Sequence, residues 1–546
     1  MKAKLIFASL FLSMAGLSAQ TYQVPVSEQD EPMMKGKFEP TWSSLENYQV
    51  PEWFRNVKFG IWAHWGPQCV EGSGDWMARS MYMEGTREYE YHVKHYGHPS
   101  EVGFKDIIPL WKAENWDPDK LVAFYKKIGA QYFFALGNHH DNMDLWDSKY
   151  QPWNSVNMGP KKDILAGWEK AARKYGLYFG VSLHADHAWS WYESSQRHDT
   201  KGPKKGIPYD GKLTKADGKG KWWEGYDPQD LYAQNHPLSE NSWDNGMIHR
   251  QWAWGNGVCV PSQEYCTNFY NRTLDVINRY NPDLLYFDVT VAPFYPVSDA
   301  GLKIAAHFYN HNMATHKGKL EAVMFGKILD ENQRKALVWD VERGAPNKII
   351  DQPWQSCSCI GGWHYNTSIY EKNEYKSAAY VAKLLVDIVS KNGNLLLSVP
   401  LRADGTFDEK EEKILNEFGA WMNINKEAIY DTRPWVVFGE GLIAEEDIPL
   451  NAQGFNEGSY SQAGAKEIRF TQTPKYLYAT VLAWPADGKV NIKSLAADSK
   501  LYEGKIRKVE LLGYGKVDFV RTAESLSVTL PAQPLNQIAP VLRIAK

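Results

Sequence analysis

The chain has 546 residues, and its 65 acidic and 61 basic side chains leave a formal net charge of -4. This balance gives no basic surface for nucleic acid or for an anionic membrane, so we expect neither as a partner. The length exceeds that of one ordinary domain and predicts two.

The five cysteines are an odd number, which excludes a scaffold held by disulfide bonds alone. Cys259 and Cys266 are near enough in sequence to pair across a loop, and whether they pair stays open. The Cys357-x-Cys359 spacing does not match a zinc site, and no second cysteine pair completes it. We therefore expect no metal and no cofactor.

The N-terminus has the features of a secretory signal. Lys2 and Lys4 precede an apolar run at residues 5–12, and small residues lead to Ala19. This pattern predicts a signal peptide at residues 1–19, and its apolar run is too short to span a bilayer. We expect an exported protein, periplasmic or secreted, without membrane insertion.

Residues 20–430 are predicted to form the catalytic domain, in which an irregular leader at residues 20–50 precedes alternating strand-like and helix-like segments. The predicted strands are residues 57–62, 131–136, 177–183, 284–287, 322–325, 337–341 and 395–399. The predicted helices include residues 119–128, 164–175, 266–280 and 375–391. Such alternation predicts a parallel sheet with helices outside it, closed as a (β/α)8-type barrel. The polar, Trp-rich stretch 185–260 is expected to form part of the binding face.

Residues 431–546 show a different sequence pattern, in which short runs of alternating apolar and polar residues are separated by turn residues. Residues 476–483, 508–512 and 525–530 are examples. This pattern predicts an antiparallel β-sandwich as a C-terminal domain.

Histidines and carboxylates collect where the predicted parallel strands end, which is the face of a barrel that carries active sites. They are His64, His139, His140, His184, Asp288 and the residues 340–343. Neighbouring residues on a strand point to opposite sides, so the adjacent pair His139 and His140 does not predict a metal clamp. Hydrogen bonds from these histidines to sugar hydroxyls fit better, because 23 Trp and 31 Tyr supply aromatic faces on which sugar rings pack.

Asp288 follows the apolar run Leu-Leu-Tyr-Phe, where a carboxylate is either paired structurally or functional. Hydrolysis of a glycoside requires two carboxyl groups, one as nucleophile or base and one as acid. Glu342, at a later strand end, is the second candidate.

Several motifs resemble those of the α-L-fucosidases of glycoside hydrolase family 29, over roughly residues 50–435. They are residues 59–66 (FGIWAHWG), 139–141 (HHD), 285–288 (LYFD), 390–397 (SKNGNLLL) and 427–435 (EAIYDTRPW). The resemblance implies a retaining mechanism with Asp288 as the nucleophile. It also implies that His64, Trp65, Asp75, Trp76, His139 and His140 surround the sugar. His184 is expected to join them, and Arg343 either binds the sugar or forms a structural ion pair.

The chain departs from the family pattern at Gln355, where many relatives carry a glutamate that serves as the acid/base. An amide cannot deliver a proton, so we predict Glu342 as the acid, with Glu371 and Glu374 as weaker candidates. The intact nucleophile motif argues against a third reading, a sugar-binding protein that has lost catalysis.

Two further departures concern the sugar. Asn142-Met143 replaces Gly-Phe, and the third strand ends in His184-Ala185-Asp186 rather than in Tyr-Tyr-Ser. L-Galactose carries a C6 hydroxyl where L-fucose has a methyl group, and a polar group near C6 would favour L-galactose. The sequence thus predicts an exo-glycosidase that releases α-L-fucose, with an α-L-galactosidase acting on algal-type polysaccharide as the alternative.

Overall fold

The computed structural model describes residues 22–243, 248, 251–446, 450, 453–536 and 538–546. The predicted signal peptide, residues 1–19, lies outside the described residues. Among these residues, no helix combines the length and the apolar character that crossing a bilayer requires. All five cysteines are described, and each is free, Cys259 and Cys266 included.

Eight parallel strands form a closed barrel in which each strand pairs with its neighbours in chain order. The strands are β1 Phe59–Ala63, β2 Tyr132–Asn138, β3 Tyr178–Leu183, β4 Leu284–Phe287, β5 Val323–Gly326, β6 Val338–Glu342, β7 Trp354–Cys359 and β8 Gly393–Ser398. Every residue of β2 and β4 is buried. Nearly continuous apolar strands are typical of a parallel sheet that is covered by helices. The predicted barrel is confirmed.

The longer helices of the barrel region connect these strands, and shorter helices occupy the loops. The longer ones are Arg87–His95, Pro118–Lys127, Ile164–Lys174, Gln263–Tyr280, Ala300–Thr315, Ala378–Ser390 and Glu409–Asn425. The shorter ones are Trp42–Leu45, Glu52–Val57, Met77–Ser80, Phe104–Ile107, Ala188–Trp191, Pro228–Tyr232, Gln333–Ala336, Thr367–Lys372 and Leu442–Glu445.

Local signals set the ends of these helices. Asp163 caps Ile164–Lys174, since its carboxylate accepts a hydrogen bond from Ala166 N at 2.8 Å. The chain leaves that helix through Gly176, whose φ of 65° suits glycine.

Strand β7 was not predicted, because its sequence Trp-Gln-Ser-Cys-Ser-Cys has no apolar run. All six residues are nevertheless buried. Their polar groups find partners in the surrounding loops: Ser356 Oγ donates to Gly344 O at 2.7 Å, and Ser358 Oγ donates to Glu457 at 2.6 Å. Hydrogen bonding therefore permits a strand that hydrophobicity alone does not reveal.

The C-terminal region contains two antiparallel sheets with a shared apolar core. The strands are β9 Arg433–Glu440, β10 Ile468–Gln472, β11 Tyr476–Val481, β12 Lys489–Ile492, β13 Val509–Leu511, β14 Gly515–Lys516, β15 Asp518–Arg521, β16 Leu526–Thr529 and β17 Val541–Ala545. One sheet has the order β14-β13-β17-β11-β10-β9 and the other β12-β16-β15. Phe470 and Ile544 of the first sheet pack in one cluster with Val490 and Val528 of the second. The predicted sandwich is confirmed, and the domain boundary at residues 430–431 stays a prediction.

The connection between β9 and β10 returns to the barrel at the end of β6. Glu342 N donates to Gln453 O at 2.8 Å, and Phe455 N donates to Glu342 O at 2.7 Å. Glu457 N donates to Arg343 O at 3.0 Å. We call residues 453–458 the clamp segment, because it pairs with one edge of β6 and bonds both the N–H and the C=O of Glu342.

Candidate active site

A cavity of about 240 Å³ opens at the C-terminal ends of the barrel strands. It is smaller than the roughly 300–1,000 Å³ of pockets that bind drug-sized ligands, and its size suits a single sugar ring. Its walls are Trp62, His64, Asp75, Trp76, His139, His184, Trp252, Tyr286, Asp288, Lys327, Glu342, Cys357, Trp363, Gln453 and Phe455. Aromatic rings and a few polar groups thus share the lining, as a sugar requires.

Asp288 stands directly after β4, with its carboxylate in a dense set of donors. One oxygen contacts the Lys327 ammonium, and the other lies 3.2 Å from His140 Nε2 and 3.7 Å from His184 Nδ1. Burial by itself would raise the pKa of Asp288, but the charge of Lys327 and the hydrogen bond from His140 outweigh it. The pKa of Asp288 consequently lies well below its usual range. Asp288 is therefore an ionised carboxylate, as a nucleophile must be.

Lys327 follows β5 and links Asp288 to the second carboxyl group. Its ammonium, which also contacts Asp288, donates to Glu342 Oε2 at 2.7 Å. Burial would lower the pKa of Lys327, but the two carboxylates hold it well above its usual value. Lys327 is therefore a permanent cation between the two acids.

Glu342 ends β6 on the opposite side of this cation. Burial and the nearby charge of Asp288 raise the pKa of Glu342, although Lys327 opposes the shift. A raised pKa favours the protonated form that a general acid needs.

The shared ammonium also limits the distance between the carboxyl groups. Two hydrogen bonds of at most about 3 Å to one nitrogen place their acceptor oxygens no more than about 6 Å apart. Retaining glycosidases separate their carboxyl groups by about 5–5.5 Å and inverting ones by about 6.5–9.5 Å. The pair formed by Asp288 and Glu342 fits the retaining arrangement.

Gln355 is fully buried in the barrel interior and does not line the cavity. Its amide donates to Asp340 Oδ1 at 2.9 Å and accepts from Tyr132 OH at 3.1 Å. Glu371 and Glu374, the weaker acid candidates, are exposed and lie outside the cavity wall. Of the candidates for the acid, only Glu342 reaches the cavity.

Three predicted histidines, His64, His139 and His184, line the cavity. The fourth, His140, lies behind the cavity wall and contacts Asp288. His64 Nδ1 bonds Ser398 Oγ at 2.9 Å and His139 Nδ1 bonds Gln68 Nε2 at 2.8 Å, while the two ring nitrogens of His184 make no hydrogen bond within the described residues. Burial lowers the pKa of His64 and of His139 well below the usual value, and lowers that of His184 to about 4. Neutral imidazoles offer one donor and one acceptor each, which suits sugar hydroxyls.

Asp75 and Trp76 also lie in the cavity wall, as the sequence predicted. Asp75 Oδ1 bonds His364 Nδ1 at 2.7 Å and lies 3.6 Å from His139 Nε2. Trp76 has a φ of 63°, a left-handed conformation that is unusual for a bulky residue. The two neighbours thus contribute an acceptor and an aromatic face to the same wall.

Two predicted binding residues lie elsewhere. Trp65 is buried among Trp111, Trp116 and Trp168, and its Nε1 donates to Arg402 O at 2.8 Å. It packs behind the site, because the chain turns outward after His64. Arg343 forms an ion pair with Glu457 at 2.8 Å and lines a neighbouring cleft rather than this cavity.

The three residues considered for the choice between L-fucose and L-galactose do not lie together in the structure. Asn142 donates to Asp230 O and Leu231 O at 3.1 and 2.8 Å, so it braces a loop outside the cavity. Asp186 is fully buried and has no hydrogen-bond partner among the described residues. Only His184 meets the cavity.

Trp252 lies in the stretch 185–260 that was expected at the binding face, whereas sequence reasoning missed several other lining residues: Trp62, Tyr286, Lys327, Cys357, Trp363, Gln453 and Phe455. Lys327 follows an apolar strand just as Asp288 does, so the same signal could have found it. Trp62 and Tyr286 lie on strands that were predicted. The clamp residues Gln453 and Phe455 come from a distant part of the chain and gave no local signal.

Among the described residues, two groups of side chains have the spacing of metal ligands. They are His139, His140 and His184, and Asp75, His139 and His364, each with candidate ligand atoms within 4.8 Å of one another. Several of these atoms are engaged in the hydrogen bonds described above, and His140 serves the carboxylate of Asp288. We therefore assign these side chains to the sugar site.

A parallel barrel that opposes an ionised carboxylate and a carboxyl group of raised pKa, across a pocket of this size, has the architecture of a glycoside hydrolase. Comparison with known proteins narrows this class. Residues 26–427 match the family model described as alpha-L-fucosidase, and residues 462–545 match the alpha-L-fucosidase C-terminal domain model. The chain belongs to the α-L-fucosidase family, glycoside hydrolase family 29.

Individual relatives have low sequence identity to this chain, but the similarity extends over nearly the whole of both chains. Human plasma alpha-L-fucosidase is 24% identical over 524 residues, which is 92% of this chain and 90% of the relative. The structure of Thermotoga maritima alpha-fucosidase with a mechanism-based inhibitor has a TM-score of 0.66 and 23% identity, covering 93% of this chain and 100% of that one. Alpha-L-fucosidase isoenzyme 1 from Paenibacillus thiaminolyticus has a TM-score of 0.59 and 18% identity, covering 90% and 98%. At these identities the structural likeness establishes the fold.

Proposed function

We propose that the protein is a retaining exo-glycosidase that releases terminal α-L-fucose from oligosaccharides or polysaccharides through a covalent intermediate. The observation that carries this proposal is the Lys327 ammonium, which binds Asp288 and Glu342 together. Family membership supports the choice of L-fucose.

In the first step, an oxygen of Asp288 attacks C1 of the sugar while Glu342 gives its proton to the leaving glycosidic oxygen. In the second step, Glu342 removes a proton from water, and that water displaces Asp288 from C1. His64, His139 and Asp75 are proposed to hold the sugar hydroxyls. Trp76 is proposed to face the ring.

The test uses 4-nitrophenyl α-L-fucoside and a 2-fluoro-fucosyl fluoride. Retention predicts that NMR detects α-L-fucose as the first product, and that mass spectrometry finds the fluorinated sugar on the peptide containing Asp288. First formation of the β-anomer would contradict the retaining mechanism, and a label on another carboxylate would contradict the assignment of Asp288.

The environment of His184 supports a second candidate, release of α-L-galactose from algal-type polysaccharide. His184 lines the cavity, and its ring nitrogens have no hydrogen-bond partner within the described residues. Nδ1 faces Asp288 at 3.7 Å, and an Nε2 without a hydrogen-bond partner favours a sugar with one more hydroxyl group.

The rates on 4-nitrophenyl α-L-galactoside and on the matching fucoside separate the two candidates. If His184 meets the C6 hydroxyl, the wild type prefers the galactoside, and His184→Phe shifts the ratio towards the fucoside. A ratio that favours the fucoside before and after the substitution would exclude this candidate. Complete inactivity on both substrates, with measurable sugar binding, would instead support a binding protein without catalysis.

We also propose that the protein acts outside the cytoplasm, on the basis of the lysines and apolar run in residues 1–19. Expression of the full chain in a bacterial host, followed by fractionation and N-terminal sequencing, tests this. A mature protein that begins at Gln20 is expected, and an unprocessed cytoplasmic chain would contradict the proposal.

A further inference from the structure

A second cleft of about 660 Å³ adjoins the catalytic cavity. Its walls are Arg343, Ile360, Gly361, Glu374, Tyr375, Lys376, Ser377, Tyr380, Phe455, Glu457 and Gly458. Phe455 lines both spaces, and Arg343 is the residue directly after the proposed acid. The cleft therefore begins where the catalytic cavity ends, on the side of Glu342.

The geometry of the reaction makes that side special. Glu342 must reach the glycosidic oxygen, which joins the released sugar to the rest of the glycan. The sugar on the far side of that oxygen must consequently lie beside Glu342.

Phe455 is held in an exposed position at the boundary between the two spaces. Its side chain is 49% exposed, and its φ of 66° is a left-handed conformation that bulky residues rarely adopt. The hydrogen bond from Phe455 N to Glu342 O fixes this position. An exposed aromatic ring in a constrained backbone is an arrangement that functional sites retain.

Arg343 contributes free donors to the same boundary. It also has a left-handed backbone, with a φ of 50°. Its Nε donates to Glu457 Oε1 at 2.8 Å, while its two terminal nitrogens have no hydrogen-bond partner in the part of the chain that the structure describes. Glu457 in turn accepts from Ser358 at 2.6 Å and lies 3.0 Å from Lys376 Nζ, so the guanidinium is braced from behind.

The charges of the cleft nearly cancel. Arg343 and Lys376 are both paired with the buried Glu457, and Glu374 adds an exposed carboxylate. This balance fits a neutral, hydroxyl-rich partner better than an anionic one.

We propose that the cleft binds the leaving-group sugar of the substrate, a neutral pyranose that packs on Phe455 and accepts hydrogen bonds from Arg343. This inference rests on the proposed glycosidase function and extends it. It gives the clamp segment, which belongs to the connection between two strands of the C-terminal sheet, a direct role in selecting the glycan.

Binding measured without turnover separates this role from any effect on the acid. The parent protein carries Asp288→Asn, and calorimetry compares methyl α-L-fucoside with a set of L-fucosyl-galactose and L-fucosyl-N-acetylglucosamine disaccharides. The matching L-galactosyl compounds replace them if the wild type releases L-galactose. We expect at least one disaccharide to bind the parent about tenfold more tightly than the methyl glycoside.

Phe455→Ala and Arg343→Ala, each made in that parent, are expected to remove most of this advantage. The readout is the ratio of the two dissociation constants, because a general disturbance of the cavity weakens both ligands together. Phe455→Trp keeps an aromatic face and is expected to keep the advantage. Tyr514→Ala removes a similarly exposed ring, 55% exposed, from the turn between β13 and β14 and is the matched control.

The inference is overturned if no disaccharide binds more tightly than the methyl glycoside, or if both substitutions leave the ratio intact. It is also overturned if Phe455→Ala and Phe455→Trp weaken both ligands equally. Failure of the proposed function looks different, because the wild type would then hydrolyse neither α-L-fucosides nor α-L-galactosides.

Discussion

The two proposed catalytic carboxyl groups are positioned by different parts of the molecule. The partners of Asp288 are Lys327, His140 and His184, all at the ends of barrel strands. The side chain of Glu342 shares Lys327, but its backbone is held by the clamp segment, which lies more than a hundred residues later in the chain. These partners of the proposed nucleophile thus come from the barrel, whereas the proposed acid is also held by the clamp segment.

This difference matches the chemistry of each group. A nucleophile must be ionised, and a barrel rim can supply the necessary cation and imidazoles. An acid must approach a glycosidic oxygen whose far side varies from one glycan to another. Holding the acid with a segment that also shapes the neighbouring cleft couples proton delivery to recognition of the leaving group.

Replacing the nucleophile should have the largest effect. We expect Asp288→Asn to lower kcat at least about a thousandfold on every substrate, since comparable losses in other hydrolases reach about a millionfold. Steady-state kinetics on aryl glycosides and disaccharides measures this. Asp351→Asn, an exposed carboxylate in the loop before β7, is the control and should retain wild-type rates. Near-normal activity of Asp288→Asn would place the nucleophile elsewhere.

Replacing the acid should have an effect that depends on the leaving group. We expect Glu342→Gln to lose about 10²–10⁴-fold on disaccharides and much less on 4-nitrophenyl glycosides, whose leaving group needs little protonation. Because the pKa of Glu342 is raised, activity on disaccharides should fall only as pH rises through that elevated value, and Glu342→Gln should lose this alkaline limb. Glu371→Gln, an exposed carboxylate outside both the cavity and the neighbouring cleft, serves as the control. Equal losses on both substrate types would contradict the assignment.

Removing the shared cation, Lys327, should shift the pKa values of both Asp288 and Glu342. In Lys327→Met the pKa of Asp288 loses its main depressing influence and rises, so activity should disappear at a higher pH as the medium is acidified. Lys327 also opposes the rise in the pKa of Glu342, so the alkaline limb should move upward too. We therefore expect the bell-shaped plot of activity against pH to move as a whole to higher pH. Its maximum should be roughly ten- to hundredfold lower than in the wild type.

Stability provides a second measurement on the same variant. The low pKa of Asp288 stabilises the folded state at pH values above the unfolded pKa, and this contribution is lost as pH falls through the folded pKa. Without Lys327, the free energy of unfolding near neutral pH should fall by about 3–5 kcal/mol. Lys303→Met is the control, because Lys303 also bridges two carboxylates, Glu28 at 2.9 Å and Asp299 at 3.1 Å, away from the cavity. An unmoved pH profile in Lys327→Met would refute the shared-cation model.

The smallest expected effect concerns the clamp alone. Gly454 has a φ of 137°, and a Cβ atom there would lie 2.0 Å from Glu342 O, so Gly454→Ala must push the clamp away. We expect several-fold slower hydrolysis of disaccharides and little change on 4-nitrophenyl glycosides, because Asp288 keeps its partners. Gly464→Ala, where an added Cβ meets nothing within 4 Å, is the control. A parallel loss on both substrates would show that the clamp also supports the nucleophile.

The sequence could predict those parts of the fold and site that rest on local patterns. Apolar strands followed by polar residues revealed seven barrel strands and placed Asp288, His139 and Glu342 on one rim. Strand β7 was not predicted, because its buried polar groups are satisfied by hydrogen bonds and its sequence therefore has no apolar run. The prediction that Trp65 contacts the sugar is wrong, because the direction of its ring depends on packing with Trp111 and its neighbours, which the motif does not reveal.

Long-range contacts explain what else escaped. Phe455 and Gln453 reach the cavity only through pairing with the end of β6, and nothing near them in sequence indicates this. The ion pair between Arg343 and Glu457 has the same origin. The predicted signal peptide and the domain boundary stay predictions.

The position of Lys327 has a consequence for the timing of proton transfer. Formation of an ester on Asp288 would erase one of the two negative charges beside the ammonium. Glu342 would then face an undivided positive charge and no anionic neighbour, so its pKa would fall after the first step. With its pKa lowered, Glu342 would be ionised and could act as the base that takes a proton from water, and its pKa would rise again once the ester is cleaved. One lysine would in this way keep the protonation of Glu342 in phase with the charge on Asp288.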